Sequence, residues 1–477
     1  MSNSSSLASK RIQTLLDENS FVEIGALVTA RATDFNMKQN DTPADGVVTG
    51  YGVIDGKLVY VYSQDASVLS GSVGEMHAKK IVTLYELAMK TGAPVIGLID
   101  SAGLRLQEAT DALNGFGEIY LKQTLASGVI PQITAVFGSC GGGLAIIPTL
   151  TDFTFMEESK AKLFVNAPNA IEGNEVSKCN TASAEFQSES SGIVDGVGSE
   201  DSIYTQIREL ITILPANNEE NLLYVECADD LNRVCADLEN SVEDTALVLA
   251  AIADNSKFFE IKGSYAPEMV TGFVQFNGVT VGCVANRTKQ YDENAEVVAT
   301  YDAALTPNGC EKATDFVTFC DAFSIPVLSL TNVKGYAATM CSEKRIAKAV
   351  AKLTYAFANA TVPKVNVIVG SAYGSAYVAM NSKSIGADIT MAWPNAEIGM
   401  MDAKLAAKIM CDGQGSDAID ACANEYAKLQ TSVESAARRG YVDQVVEASD
   451  TRKYVIGAFE MLFTKREDRP DKKHGTV

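Results

Sequence analysis

The sequence predicts an α/β fold built twice from one repeated unit, and three observations carry that prediction. Short apolar runs alternate with helical patterns, several landmarks recur at a single offset, and each half opens on a hairpin signature. Pro94 and Pro326, Pro131 and Pro363, and Gly138 and Gly370 are each 232 residues apart. Three landmarks in step point to a duplication rather than to coincidence.

Taken in order, the first half begins with Tyr51 to Ile54, the pair Asp55-Gly56, then Leu58 to Tyr62. Asp-Gly tolerates the two positive φ angles of a tight hairpin turn. Its counterpart is Phe273 to Phe276, Asn277-Gly278 and Val279 to Val284. A helix comes next in each half, with Ile81, Leu84, Tyr85 and Ala88 on one face of the first and Ala313, Phe316, Cys320 and Phe323 on one face of the second. Then come an apolar strand (Val95 to Ile99; Val327 to Leu330), a glycine-containing turn, another helix and a second apolar strand (Ile133 to Phe137; Val365 to Val369). The Pro/Asn-rich stretch 214–221 reads as a linker, so the domains are expected to be 1–238 and 239–477.

The chain of 477 residues is 47% hydrophobic and 21% charged, a globular composition. No signal-peptide pattern precedes Ala8, and the longest apolar run, near Ala246 to Ala253, is far shorter than the ~20 residues of a membrane helix, so a soluble, cytoplasmic protein is expected. Ser2 to Ser6 reads as frayed. A net charge of −21 argues against nucleic acid, because phosphates would be repelled. The ten cysteines form no C-x-x-C pair, so no metal is expected, and most are read as small buried hydrophobes. The two histidines, His77 and His474, are read as structural or solvated.

The most informative local feature is Gly138-Ser139-Cys140-Gly141-Gly142-Gly143, where consecutive glycines end a strand and open a helix. Glycine permits close backbone approach, and the free N–H groups of a helix start can hold a developing oxyanion. One such turn would serve strand–helix packing equally well. At the same offset, however, stands Gly370-Ser371-Ala372-Tyr373-Gly374-Ser375-Ala376, so two oxyanions are expected. Neither turn has the Gly-x-Ser-x-Gly of a nucleophile elbow, and Gly50-Tyr51-Gly52 lies in a hairpin, not in a dinucleotide fingerprint.

Around these residues the chain resembles the carboxyltransferase component of biotin-dependent acyl-CoA carboxylases and decarboxylases. GlySerValGlyGluMetHisAlaLysLysIle (71–81), AspSerAlaGlyLeuArgLeuGlnGlu (100–108), SerGlyValIleProGln (127–132) and ThrAspPhe (151–153) are similar to that family's N-terminal half. CysAspAlaPheSerIlePro (320–326), AlaThrValProLysVal (360–365), AlaTyrGlySerAlaTyr (372–377) and AlaTrpProAsnAlaGluIleGly (392–399) are similar to its C-terminal half. The likeness runs from about Arg11 to the 470–475 tail, with an N-terminus shorter than is usual in the family.

The resemblance implies a tandem crotonase-like α/β fold, with acyl-CoA held by the N-terminal half of one subunit and carboxybiotin by the C-terminal half of another. It implies that the backbone N–H groups of Gly142 and Gly143 hold the thioester carbonyl as it becomes an enolate, and that those of Ser375 and Ala376 face the ureido oxygen of biotin. Arg31, Lys79, Lys80 and Arg105 become candidates for the CoA phosphates, with Ala102, Gly103, Gly374 and Val378 completing the binding set. Biotin is implied on a separate carrier protein, since no AlaMetLysMet signature occurs. The implied partners are that carrier, a biotin carboxylase or a membrane decarboxylase β subunit, and further copies of this chain in a dimer or hexamer. Association with a membrane would then come only through partner subunits.

The sequence departs from the family at three places. The usual AspValProGlyPhe is AsnValLysGlyTyr (332–336), the usual TyrGlyGlyAla is Tyr373-Gly374-Ser375-Ala376, and an often acidic position is Val378. Three alternatives stand beside carboxylation: the α subunit of a sodium-pumping acyl-CoA decarboxylase, a crotonase-like hydratase or isomerase, and a non-catalytic relative.

Overall fold

A computed structural model describes residues 6–31, 42–220, 226–292 and 294–470. Two compact units divide it, Met1–Asn221 and Leu222–Val477. The division falls earlier than the boundary near Glu239 that composition suggested. The acidic stretch after the expected linker is bound into the second unit: the Cys235 N–H donates to the Ser449 carbonyl at 2.9 Å, and buried Arg452 donates to the Asp230 carbonyl at 3.1 Å. The expected linker instead lies on the first unit, where Asn217 reaches the Gly92 carbonyl at 2.8 Å.

In the first unit both hairpin strands, Val47–Ile54 and Lys57–Gln64, extend beyond the expected runs and meet at Asp55 (φ 48°) and Gly56 (φ 79°). These angles are those of the expected two-residue turn. The next strands, Val95–Ser101, Gln132–Gly141 and Phe153–Glu157, add in parallel. Val22–Ile24 and Gly196–Gly198 are the edges, and Lys162–Phe164 pairs with the far end of Gln132–Gly141, making eight strands. The helices Glu75–Thr91 and Ala109–Ala126 connect the central parallel strands. Ile81, Leu84, Tyr85 and Ala88 are all buried against the sheet, and each such large apolar side chain stabilises by about 1.5–3 kcal/mol. Gly92, left-handed at φ 65°, ends the first helix.

The second unit repeats this order. Phe259–Ile261, Met269–Phe276, Val279–Asn286, Val327–Val333, Lys364–Tyr373, Ile389–Ala392 and Gln444–Val445 are neighbours in that sequence, and Glu397–Gly399 pairs with the far end of Lys364–Tyr373. The hairpin turns at Asn277 (φ 49°) and Gly278 (φ 74°), and Ala313, Phe316, Cys320 and Phe323 are buried. The strands Val95–Ser101 and Gln132–Gly141 recur at Val327–Val333 and Lys364–Tyr373, an offset of 232, whereas the hairpins Val47–Ile54 and Met269–Phe276 differ by 222. The difference comes from an added ribbon, Lys289–Tyr291 with Val297–Thr300, between hairpin and helix. The second unit also carries two helical segments absent from the first, Ala403–Met410 and Ser416–Tyr426.

In both units the central pair of strands slips at the same point. Between Ile99↔Val136 and Ser101↔Cys140, and between Thr331↔Ile368 and Val333↔Ala372, one strand advances four residues against two. Such a bulge bends a strand and re-aims the backbone beyond it. In each unit that re-aimed backbone is the glycine turn. Five cysteines, Cys140, Cys235, Cys283, Cys310 and Cys320, are buried, while Cys179 and Cys341 are exposed and the other three are half-buried. Among the described residues no helix is long and apolar enough to cross a membrane. His474, Ser2 to Ser5 and the end of the 470–475 tail lie outside the described residues.

Candidate active site

Each glycine turn is fixed by the side chain at the end of the neighbouring strand. Asp100 fills the space beside Gly138, where an added Cβ would fall 1.9 Å from Asp100 Oδ1, and Asn332 does the same at Gly370, at 2.5 Å from Oδ1. A side chain at either position would displace the carboxylate or amide that holds the turn. Asp100 is tied in turn to Arg11 at 3.0 Å, whose guanidinium also meets Glu200 at 3.1 Å and stacks over the Phe137 ring. Asn332 accepts from the Ser371 N–H at 3.1 Å. Behind them Gln64 receives the Asp100 N–H at 3.2 Å and Asn286 receives the Asn332 N–H at 3.1 Å.

At the first turn the strand Gln132–Gly141 runs into a short helix, Gly142–Ala145, through Gly142 at φ 63°. That left-handed conformation is one an L side chain rarely adopts. Gly143 is exposed, and its carbonyl accepts from the Tyr120 hydroxyl; Tyr120 is itself stacked on Phe116, with ring centroids 6.0 Å apart. Tyr120 thereby holds the turn from the preceding helix. It carries no motif, and its only mark in the sequence is the aromatic pair Phe116 and Tyr120 at helical spacing, in the helix before the strand that leads to the turn. Gly103, at φ 96°, closes the other side: an added Cβ there would lie 3.5 Å from the Gly141 carbonyl, and neighbouring Ala102 is exposed. Cys140 is fully buried and burial pushes its thiol well above the ordinary range, so it remains protonated and is no nucleophile.

The second turn matches this geometry. The strand Lys364–Tyr373 enters the helix Gly374–Ala379 through Gly374 at φ 61°. Here an added Cβ would lie 3.3 Å from the Met400 carbonyl. Ser375 is exposed, Ala376 buried and Val378 half-buried. The Tyr336 hydroxyl donates to Ser375 Oγ at 2.7 Å, and that of Tyr373 donates to Glu397.

Two of the four expected phosphate-binding cations are turned into the core. Arg105 is 1% exposed and spends its donors on Asp45 at 2.7 Å, Glu108 at 2.8 Å and the Ser72 carbonyl at 2.6 Å. Lys80 points inward, its amino group on the carbonyls of Ala44, at 3.1 Å, and Val47. Its counterpart 232 residues on, Lys312, does likewise with the carbonyls of Lys262 and Tyr265, at 2.7 and 2.8 Å. Burial lowers both amines, Lys80 to about 8 and Lys312 to about 7. The sequence motif 71–81 thus serves the core at Lys80, while Lys79 beside it is exposed. Arg31 is half-exposed and paired with Glu75 and Asp111.

His77 belongs to the Arg105 network. It is fully buried, its Nδ1 lies 3.0 Å from the Asp45 carbonyl and its Nε2 lies 3.2 Å from the Gln64 amide. Burial, then the nearby Arg105 charge, lower its pKa from 6.5 to about 3. The unfolded chain therefore takes up this proton below pH 6.5 while the folded chain refuses it until about pH 3. The resulting contribution to stability is complete above pH 6.5 and is lost progressively as pH falls toward 3. We expect the unfolding free energy from urea titrations to drop between pH 7 and pH 5, by up to about 1.4 kcal/mol per pH unit, and His77→Gln to flatten that slope. An equal slope in the variant would assign the acid sensitivity elsewhere.

With this geometry in place, the comparisons with known proteins decide the family. Residues 1–477 match the carboxyl transferase domain. The chain belongs to the carboxyltransferase family. This carboxyltransferase is 41% identical to methylmalonyl-CoA decarboxylase subunit alpha of Veillonella parvula, with 98% of the chain and 92% of the relative aligned. It is 40% identical to the propionyl-CoA carboxylase beta chain of Roseobacter denitrificans, over 98% and 93% of the two chains. Among solved structures it superposes on a transcarboxylase 12S subunit at TM-score 0.92 and 37% identity, covering 98% of this chain and 92% of that one. That structure is described as a hexamer with hydrolysed methylmalonyl-coenzyme A bound. The tandem crotonase-like architecture that the resemblance implied is thereby established for this carboxyltransferase, as is its place among enzymes. Among the described residues no group of three or more His, Cys, Asp or Glu side chains is placed to hold a metal.

Proposed function

We propose that this carboxyltransferase moves a carboxyl group between carboxybiotin, presented by a separate carrier protein, and the α-carbon of a short-chain acyl-CoA. The observation that carries the proposal is the pair of glycine turns, each entered through a left-handed glycine, Gly142 or Gly374, at the same place in a duplicated unit. The relatives' names supply the substrate class: propionyl-CoA and methylmalonyl-CoA are what their carboxylases and decarboxylases act on.

In this reading the backbone N–H groups of Gly142 and Gly143 hold the thioester oxygen as negative charge develops on it. Preorganised donors of this kind stabilise charge that exists only in the transition state, which raises turnover rather than affinity. The second turn fits a urea oxygen in the same way, with the N–H groups of Ser375 and Ala376 as donors and Gly374 giving the close approach that a Cβ against Met400 would obstruct. Bound carboxybiotin would supply the carboxyl group and, once relieved of it, a base for the α-proton. The chain's own residues orient the partners and keep the reacting carbons in register, so no side-chain acid is required. Lys79 and Arg31 are assigned to the CoA phosphates, Ala102 and Gly103 to the wall beside the first turn, and Val378 to acyl preference.

The 41% identity to a decarboxylase subunit favours the reverse direction as a second reading, and the same site serves both. We assign a biotin carrier protein as partner and at least two copies of this chain as the working assembly. The test is transfer in both directions: free biotin with malonyl-, methylmalonyl- and glutaconyl-CoA, and carboxybiotin with acetyl-, propionyl- and butyryl-CoA. Biotin-dependent movement of labelled carboxyl to or from at least one thioester is expected. Absence of transfer with every pair, or hydration of an enoyl-CoA without biotin, would overturn the reading.

A further inference from the structure

The second turn differs from the first in carrying a serine, Ser375, where the first has Gly143. Tyr336 sits in the two-residue strand Gly335–Tyr336, which pairs in parallel with Ala304–Leu305. Its backbone is held on both flanks, by the Lys334 N–H on the Ala303 carbonyl at 2.7 Å and by the Ala337 N–H on the Leu305 carbonyl at 2.9 Å. From this fixed position the ring places its hydroxyl 2.7 Å from Ser375 Oγ. Both residues are exposed, so their bond adds little to stability, because water competes for it.

A serine hydroxyl offers one proton and two lone pairs. Tyr336 occupies one lone pair, which leaves the Ser375 proton free to point away from the ring, and accepting a hydrogen bond strengthens that O–H as a donor. On the other side, the Met400 carbonyl stands close to Gly374, while Ser375 itself is exposed, so its proton has open space to reach. We propose that Ser375 donates its hydroxyl proton in a hydrogen bond to the ligand oxygen at this turn, a urea-type carbonyl that gains negative charge. Tyr336 is the positioning residue that keeps Ser375 oriented as the donor. The inference rests on the carboxybiotin reading above and adds to it a side-chain donor beside the two backbone N–H groups.

The experiment measures kcat and KM for carboxyl transfer from methylmalonyl-CoA to free biotin in the full-length wild type, Ser375→Ala, Ser375→Thr, Tyr336→Phe and the double variant Ser375→Ala with Tyr336→Phe. Ser375→Ala is expected to lower kcat by about 100-fold, the lower end of the loss on removing one oxyanion donor. Tyr336→Phe should lower it about five-fold, and the double variant should be no slower than Ser375→Ala alone, since both act through one proton. KM for methylmalonyl-CoA should hold within about two-fold, and Ser375→Thr should retain most of the rate, as uniform binding is untouched and the hydroxyl remains. Wild-type kcat in Ser375→Ala, additive losses in the double variant, or a rise in KM without a fall in kcat would each overturn the inference. Circular dichroism of each variant separates these outcomes from misfolding, and a variant that misfolds is replaced by Ser375→Gly, for which the same fall in kcat is expected. If the wild type itself transfers nothing to biotin from any thioester, the proposed function fails instead.

Discussion

Gly143→Val is expected to slow carboxyl transfer by at least about 100-fold while leaving the chain folded. Gly143 is exposed, so no core packing is lost. A Cβ there already comes within 3.2 Å of the Tyr120 hydroxyl and 3.6 Å of the Phe116 ring. The two valine methyl groups must therefore push Tyr120 off the Gly143 carbonyl or project into the space a thioester oxygen has to enter. Either outcome removes the close backbone approach on which a backbone oxyanion site depends. Transfer rate and thermal midpoint should be measured together. A folded variant with near-normal transfer would remove the first turn from catalysis.

The second large effect concerns stability. Arg105→Leu is expected to cost about 3–5 kcal/mol, the range for breaking a buried ion pair by removing one partner. Asp45 and Glu108 are both fully buried and both lean on this one guanidinium. Burial already pushes the Asp45 carboxyl above its ordinary range, with Arg105 opposing that rise. Without the arginine the two acids face one another in a site that water cannot screen. Since a native domain is stable by only about 5–15 kcal/mol, urea unfolding should show the loss plainly. KM for acyl-CoA in the protein that remains folded should be unchanged. Undiminished stability together with a raised KM would return Arg105 to the CoA phosphates.

Much of the fold was legible because its signals are local. The pairs Asp55-Gly56 and Asn277-Gly278 demand their turns, and the buried faces of both crossover helices are set by helical spacing. The 232-residue offset survives unchanged through strand, bulge and turn, so laying the sequence on itself located both glycine turns. A side chain's direction was not legible. Lys80 and Arg105 lie within family-like segments and look like anion binders by type, yet the helix and the loop aim them inward at carbonyls and carboxylates. A lysine one position away, Lys79, takes the opposite face. The two compact units divide earlier than composition suggests for a similar reason: the acidic stretch after residue 226 has the composition of a tether, but Arg233 and Arg452 bind it into the second unit. Tyr120 and the Tyr336–Ser375 contact join positions 23 and 39 residues apart, which no local pattern relates.

A duplicated chain contains its own comparison. Where the two copies still agree, they mark what the ancestral unit needed in order to exist: an ammonium stopper at Lys80 and Lys312, an amide at Gln64 and Asn286 receiving the strand end, and a glycine at Gly138 and Gly370 yielding room to it. Where they have parted, each copy was free to specialise. The floor of the first turn is ionic, Asp100 bound to Arg11 and through it to Glu200, whereas the floor of the second is the neutral amide of Asn332. The first turn therefore lies over an ion-pair network built into the fold. The second lies over the Asn332 amide, and the carboxylate it does meet, Glu397, is taken up by the Tyr373 hydroxyl, so no arginine is spent beneath it.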